Sequence, residues 1–143
     1  MNDLLEVNIR GIRKLYDMFS NARCYTFRNR REVSGDKPSI DQITQLLRDP
    51  QYALFNFGLT DFMIVKSFFL AKMTIVLETE NSNFEYTFIH WPEFLEFLPR
   101  LAWIKYQSTY QHNAWSLRRK TKVTIDLLFK MIHETAVDAP HMR

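Results

Sequence analysis

The sequence predicts a mostly all-α fold, with a paired helix–loop–helix arrangement followed by an additional C-terminal helix. Apolar residues recur at steps of three and four along most of the chain, which is the periodicity of amphipathic helices. Only 3 of the 143 residues are Gly, which argues against Gly-rich phosphate loops and tight β-hairpins. The hydrophobic fraction is 46% and the aromatic fraction is 15%, with 12 Phe, so the chain can bury a sizeable core.

The first predicted helix runs from Leu4 to about Phe19. Its apolar side chains repeat at helical spacing, and basic residues fill the other side. Gly11 weakens this helix by roughly 1 kcal/mol relative to Ala. A polar, basic connector follows over residues 22–38 and ends in a turn signal that contains Gly and Pro.

Two further helices are predicted from their start and stop signals. Ser39 begins the second helix, because Ser39 and Gln42 have the spacing of a capping box. Asp49–Pro50 ends it, since the residue before a proline is disfavoured in the helical region. After a linker, Thr60 caps a third helix that reaches about Met73. The apolar face of this third helix is wide, which indicates burial on two sides.

The stretch over residues 81–103 predicts a loop, a short extended piece and a fourth helix. Large apolar groups lie along one face of that helix, at Phe94, Phe97, Leu98 and Leu101. Pro92 fits the first helical turn, where its missing N–H loses no hydrogen bond. Pro99 lies inside the helix and removes one hydrogen bond, so we expect a kink or a break there.

The last predicted helical region follows a polar break at residues 107–109 and carries the basic character of the chain. Residues 105–143 hold seven basic and three acidic residues, a balance of +4, against a net charge of +3 for the whole chain. The predicted organisation is a helical domain over residues 4–106, a basic helical extension over 107–136 and a frayed tail over 137–143.

The two helix–loop–helix units resemble a pair of EF-hands, which makes calcium the first ligand to consider. An EF-hand loop has oxygen ligands at positions 1, 3 and 5, Gly at position 6 and a bidentate Glu at position 12. With Glu93 at position 12, Ile89 supplies the apolar residue of position 8, but positions 1, 3, 5 and 6 fall on Ser82, Phe84, Tyr86 and Thr87. A frame shifted by one recovers oxygen ligands but places Pro92 at position 12. We therefore expect a degenerate, metal-free EF-hand-like pair.

The remaining polar residues show no catalytic motif and no zinc-binding spacing. The four His residues are not spaced as zinc ligands with one another or with Cys24, the one cysteine. A single cysteine makes no internal disulfide, which favours a reducing compartment. No secretory signal and no apolar run of bilayer-spanning length is visible. We expect a soluble, intracellular, non-enzymatic protein with no cofactor and no membrane partner.

A basic cluster lies near the C-terminal end, at Arg118, Arg119, Lys120 and Lys122. Such a cluster can bind nucleic-acid phosphates or an acidic protein face. A solvated helix face explains the same charges, and no RNA-binding signature with interleaved aromatics is present. We expect a protein partner and keep nucleic-acid binding by the basic tail as an alternative function.

Several short motifs resemble those of a known family. They are Lys14-Leu15-Tyr16 with Phe19-Ser20, Gln45-Leu46-Leu47-Arg48-Asp49, Asn81-Ser82-Asn83-Phe84-Glu85, Glu93-Phe94-Leu95-Glu96-Phe97-Leu98 and Leu101-Ala102. Together they resemble the carboxy-terminal helical region of radial-spoke head protein ten homologue B and related ciliary proteins, over roughly Ile9 to Tyr106. The resemblance implies a non-catalytic structural subunit of the motile axoneme, in the cytoskeleton of a cilium or flagellum. Its implied partners are other radial-spoke or doublet-associated proteins.

A degenerate EF-hand pair can open a groove for an amphipathic helix of a partner. The candidate groove residues are Phe62, Phe69, Met73, Phe94, Phe97 and Leu101. Packing in the protein's own core explains the same residues equally well, because large apolar side chains favour burial. A calmodulin-like regulatory module that binds such a helix is therefore an alternative to the axonemal scaffold.

Overall fold

The structure is a computed structural model that describes residues 2–22, 37–55, 57–72 and 87–138. Over these residues the backbone is mostly helical, which confirms the predicted all-α class. The helices are α1 (Asn2–Val7), α2 (Ile9–Asn21), α3 (Ile40–Leu47), α4 (Asp61–Lys72), α5 (Trp91–Tyr106), α6 (Gln111–Ala114) and α7 (Leu117–Phe129), with 3₁₀ segments at Pro50–Phe55 and Lys130–Ile132. None of the described helices combines the length and the apolar character needed to cross a bilayer.

Side-chain caps fix the starts of three helices. Ser39 Oγ accepts the backbone N–H of Gln42, and Gln42 Oε1 accepts the backbone N–H of Ser39, at 3.1 and 2.8 Å. Thr60 Oγ1 and Ser116 Oγ each accept a first-turn N–H at 3.2 Å. Each cap satisfies a donor that the first turn leaves unpaired. The predicted capping box at Ser39 and the predicted cap at Thr60 are confirmed.

The first predicted helix is interrupted at Asn8, between α1 and α2. The Nδ2 amide of Asn8 donates to Leu4 O at 2.9 Å and to Val137 O at 2.7 Å, and its Oδ1 accepts from Val137 N at 2.7 Å. This pairing fastens the segment after α7 to the start of the fold. Val137 was expected in a frayed tail and is instead bonded to the helices; residues 139–143 lie outside the described part.

Helix α5 runs through Pro99 without interruption, so the predicted break does not occur. Leu98 and Leu101, on either side of the proline, are fully buried. Burying each leucine contributes about 2 kcal/mol, and together they offset the roughly 3 kcal/mol that an interior proline costs. Pro92 lies in the first turn of α5, as predicted.

A shared hydrophobic core joins the amino-terminal helices to α7. Helices α2, α4, α5 and α7 all contribute side chains that are almost completely buried, including Leu15, Phe68, Phe97 and Leu128. Helix α7 packs along α5. The predicted border between residues 4–106 and 107–136 therefore does not divide the core. Helix α7, which was predicted as part of a basic extension, packs against α5 and contributes to the core.

Candidate functional site

The two connecting loops meet in a short antiparallel bridge between Ser39 and Phe88, just ahead of α3 and α5. Its two hydrogen bonds are each 2.9 Å long and run from the backbone N–H groups of Ile40 and Ile89 to carbonyls of the opposite loop. Ile89 is fully buried beneath this bridge. The bridge holds the amino termini of α3 and α5 side by side and so fixes the two helix–loop–helix units relative to each other.

The two helices that leave the bridge begin in matching ways. The side-chain Oε1 of Gln42 accepts the backbone N–H of Ser39, and the Oε1 of Glu93 accepts the backbone N–H of His90, both at 2.8 Å. In each case the acceptor is three residues after the N-cap. The second cap was not predicted, because His is not among the residues that favour an N-cap.

Lys72, the last residue of α4, is buried against the second loop. Its Nζ donates to the backbone carbonyl of Phe88 and to Oε1 of Glu93, the latter at 3.3 Å. The ammonium also lies 6.0 Å from the centroid of the Phe68 ring. Lys72 and Glu93 are only 5% and 4% exposed, so this is an ion pair removed from water. Such a pair is sensitive to the loss of either partner.

Residues 81–86 of the EF-hand frame, which was predicted to be degenerate and metal-free, lie outside the described residues. Within the frame the structure describes Ile89, which lies in the core, and Glu93, whose carboxylate faces an ammonium. In the described part of the chain, no three His, Cys, Asp or Glu side chains lie close enough together to share one metal ion. Glu93 Oε1 instead accepts hydrogen bonds from Lys72 Nζ and from the backbone N–H of His90.

Three of the six candidate groove residues are core residues and do not reach the surface. Phe94, Phe97 and Leu101 are at most 1% exposed. The Phe94 ring packs edge-on against Tyr16 at 5.2 Å between centroids, and Phe97 packs against Phe68 at 6.5 Å. Their assignment to a partner-binding groove is therefore wrong in this structure, and the alternative of core packing applies. The reason is that α2 and α4 cover this face of α5.

The outer face of α4, formed by Phe62, Val65 and Phe69, is exposed to solvent. These side chains are 70%, 37% and 42% exposed. The opposite side of the same helix buries Ile64 and Phe68 completely. The wide apolar face predicted for this helix is real, but the described part of the chain covers only one of its two sides. Met73, the remaining groove candidate, lies outside the described residues.

A groove lies between α4, α5 and α7 and is here called the α4 groove. It has a volume of about 400 Å³ and is lined by Leu70, Glu96, Pro99, Arg100, Trp103, Ile104 and Leu117. Trp103 is 42% exposed and Leu117 is 38% exposed. Leu70 is the residue of α4 that lines the groove, and it lies about 100° around the helix from Phe69, so the groove opens on the flank of α4 next to α5 and α7.

Two members of the predicted basic cluster, Arg118 and Arg119, differ in their surroundings. Arg118 is bonded to Asp3 at 2.8 Å and to Asp138 at 3.4 Å, which links α7 to both ends of the described chain. The hydrogen bond from Arg118 is the largest of the causes that lower the pKa of Asp3 from 3.8 to about 2, and the same bond raises the pKa of Arg118. Arg119 is exposed and lies 4.7 Å from the centroid of the Trp115 ring.

Lys120 is not part of a solvated basic face, contrary to the expectation for the cluster. It is 1% exposed, and its Nζ donates to the backbone carbonyl of His112 at 2.8 Å. The ammonium lies 3.1 Å from Nδ1 of His112 and 4.5 Å from the centroid of the Trp103 ring. Lys120 therefore anchors α6 to α7 and cannot contact a partner, while Lys122 is half-buried on the same helix.

Comparison with known proteins gives no relative: no family model, no curated protein and no solved structure matches the chain. The resemblance to the radial-spoke region stays a prediction that depends on the motifs quoted above.

Sequence reasoning missed the two side chains that hold the loops and termini together, Lys72 and Asn8. Lys72 looks like an ordinary cation in the last turn of a helix, where basic residues are common. Asn8 looks like a polar residue on a helix surface. Their partners, Glu93 and Val137, are 21 and 129 positions away. No local spacing rule connects residues so far apart.

Proposed function

We propose that this chain is a non-catalytic protein-binding module that holds an amphipathic helix of a partner against the outer face of α4 and the α4 groove. The observation that carries the proposal is the exposure of Phe62 and Phe69. A large apolar side chain left in water forgoes roughly 1.5–3 kcal/mol that burial would provide. A partner that covers this face recovers that free energy, which is the basis of helix-in-groove recognition.

The charges beside the outer face favour a partner with acidic residues. Lys66 Nζ lies 5.6 Å from the centroid of the Phe62 ring, and none of the described carboxylates forms an ion pair with it. The neighbouring carboxylates of Asp61 and Glu96 are already bonded to arginines at 3.4 Å. A helix with apolar residues at steps of three and four, flanked by Asp or Glu, complements this surface.

We further propose that the four helices α2 to α5 form a degenerate EF-hand pair. The bridge between the two loops and the matching caps at Gln42 and Glu93 support this assignment, since both units leave the bridge in the same geometry. The unit serves as the rigid base on which the outer face of α4 is presented.

We propose the axoneme of motile cilia or flagella as the setting, with radial-spoke or doublet-associated proteins as partners. The motif resemblance supports this setting. The intramolecular bonds of Arg118 and Lys120 also favour a protein partner over nucleic acid, because they leave fewer free cations for phosphates. The module then has a structural role within a larger assembly.

Site-specific photo-crosslinking in cells tests the docking surface. A photoreactive residue is placed at position 62 or 69, and at position 110 as a control, because Tyr110 is 85% exposed elsewhere on the surface. We expect positions 62 and 69 to crosslink to the same segment of one partner, an acidic amphipathic helix, and position 110 to miss it. Equal capture at all three positions, or crosslinked segments without apolar periodicity, would refute the surface.

A binding measurement with the crosslinked segment follows. The double variant Phe62→Ser/Phe69→Ser should weaken its binding roughly tenfold or more, because both apolar anchors are lost, and Tyr110→Ser should leave it unchanged.

Imaging of the tagged protein in ciliated cells tests the setting. We expect signal along motile cilia, and a purely nuclear or diffuse cytosolic signal would exclude the axonemal role.

A further inference from the structure

The ion position of an EF-hand can be located in the second loop from two of its ligands. In an EF-hand, position 7 supplies a backbone carbonyl and position 12 a carboxylate to the same cation. With Glu93 at position 12, position 7 is Phe88. Both groups are among the described residues, and both bind the same donor, the ammonium of Lys72. A primary ammonium thus lies where these two ligands would hold calcium.

We propose that Lys72 is a built-in cation that replaces calcium in the second loop of this EF-hand-like pair. The inference rests on the pairing proposed above and is independent of the partner that binds α4. It accounts for the disagreement between the loop sequence and the calcium ligand rule. The chain retains the carbonyl and the carboxylate but supplies the positive charge itself, from the end of the helix that precedes the loop.

The charges at this place suit a monovalent cation. Glu93 is the carboxylate that the described residues bring to the ammonium, so one negative charge faces one positive charge. Calcium is bound by six to eight oxygens, usually with several carboxylates among them. Oε2 of Glu93 is buried and accepts no hydrogen bond from any described residue. Loss of the ammonium would leave this carboxylate buried and uncompensated.

The first loop makes the corresponding link in the opposite direction and with a neutral donor. Gln42 has the same place in α3 as Glu93 has in α5, and its side-chain amide donates to Ser20 O at 3.0 Å and to Ala22 O at 2.8 Å. These carbonyls lie at the end of α2. In both units, therefore, the end of the preceding helix is joined directly to the third residue of the following helix. Because the side-chain amide of Gln42 is neutral, it makes this link without a cation beside it, whereas the carboxylate of Glu93 requires one.

This arrangement makes the helix pair independent of divalent cations. In a calcium sensor, removing the ion changes the angle between the helices of a unit. Here the cation is covalently part of α4, and it stays in place whatever the calcium concentration. The outer face of α4 is then presented permanently, as a structural module requires.

A double-mutant cycle tests the assignment. Lys72→Met keeps most of the stem of the side chain and removes the charge, and Lys66→Met is the matched control on the exposed side of α4. We expect Lys72→Met to lower the Tm by roughly 10–20 °C and Lys66→Met to change it little. In Glu93→Gln the new side chain can still accept the backbone N–H of His90, just as Gln42 accepts the backbone N–H of Ser39 in the first loop. The double variant Lys72→Met/Glu93→Gln should therefore be more stable than Lys72→Met alone.

The cycle remains decisive if Lys72→Met does not fold, since recovery of the fold in the double variant supports the pair and failure of both contradicts it. A Lys72→Met variant as stable as Lys66→Met also overturns the assignment. Calorimetry of the wild-type protein with calcium completes the test. We expect no heat of binding and the same Tm in millimolar calcium and in EDTA, whereas a calcium-dependent rise in Tm would show that the ion has not been replaced.

Discussion

Gly11 of α2 lies directly against the ring of Phe129 of α7. A Cβ atom built on this residue would come within 2.7 Å of Cε2 in the Phe129 ring, and still nearer to Cζ. The ring itself is almost completely buried and cannot move away without disturbing the core. In the sequence analysis, Gly11 was expected only to weaken a helix. In the structure, the missing side chain of Gly11 leaves the space that the Phe129 ring occupies.

Gly11→Ala should therefore destabilise the protein although Ala is the better helix former. We expect a loss of about 1–2 kcal/mol in the free energy of unfolding, because overpacking outweighs the gain in helix propensity. Urea denaturation measures this. In a Phe129→Leu background, where the side chain is smaller, the same substitution should become neutral or stabilising. A stabilising effect in the wild-type background would contradict the close packing.

The bond between Arg118 and Asp3 makes a prediction about pH. The pKa of Asp3 is about 2, below its ordinary 3.8, and the hydrogen bond from Arg118 is the largest cause of this shift. A carboxyl whose pKa is lowered on folding stabilises the protein above pH 3.8, and this stabilisation is lost as the pH falls toward 2. In the variant Arg118→Gln, the pKa of Asp3 should rise toward 3.8. NMR titration of the Asp3 side chain measures it, and an unchanged pKa would mean that another group sets the value.

At the scale of elements, local rules predict what local contacts determine. The start of α3 follows from the spacing of Ser39 and Gln42, and the start of α4 from Thr60, because a cap bonds to its own first turn. The break between α1 and α2 depends instead on the backbone of Val137, 129 positions away. The continuity of α5 through Pro99 likewise depends on tertiary burial. Neither is encoded in the nearby sequence.

The interruption at Asn8 gives a prediction for the segment after α7. Asn8→Ala removes both hydrogen bonds with Val137 and should cost about 1–3 kcal/mol, since two partly buried backbone groups lose their partners. Hydrogen exchange should show the amide of Val137 exchanging much faster in the variant. Asn113→Ala, on the exposed surface of α6, is the control. Unchanged protection of Val137 would mean that other contacts hold the segment.

For the whole molecule, charge was a poor guide to domain organisation. The basic residues of α7 suggested an extension outside the core, but Arg118 is bonded to carboxylates and Lys120 is buried against His112. The apolar side of the same helix completes the core. The apolar residues of α4 and α5 were predicted as one candidate surface, yet Phe94, Phe97 and Leu101 lie in the core. Which of them face solvent, such as Phe62 and Phe69, was settled only by the packing of the helices.

Deletion of residues 107–143 tests whether the described helices share one core. Ile125, Leu128 and Phe129 of α7 are almost completely buried, and their burial contributes on the order of 5–9 kcal/mol, comparable to the total stability of a typical domain. We expect the shortened chain to lose cooperative thermal unfolding in circular dichroism, because α5 would expose its buried face. Deletion of residues 139–143 alone is the control and should leave the transition unchanged. If the chain ending at Tyr106 unfolds cooperatively at the full-length Tm, the predicted division into a domain and an extension is restored.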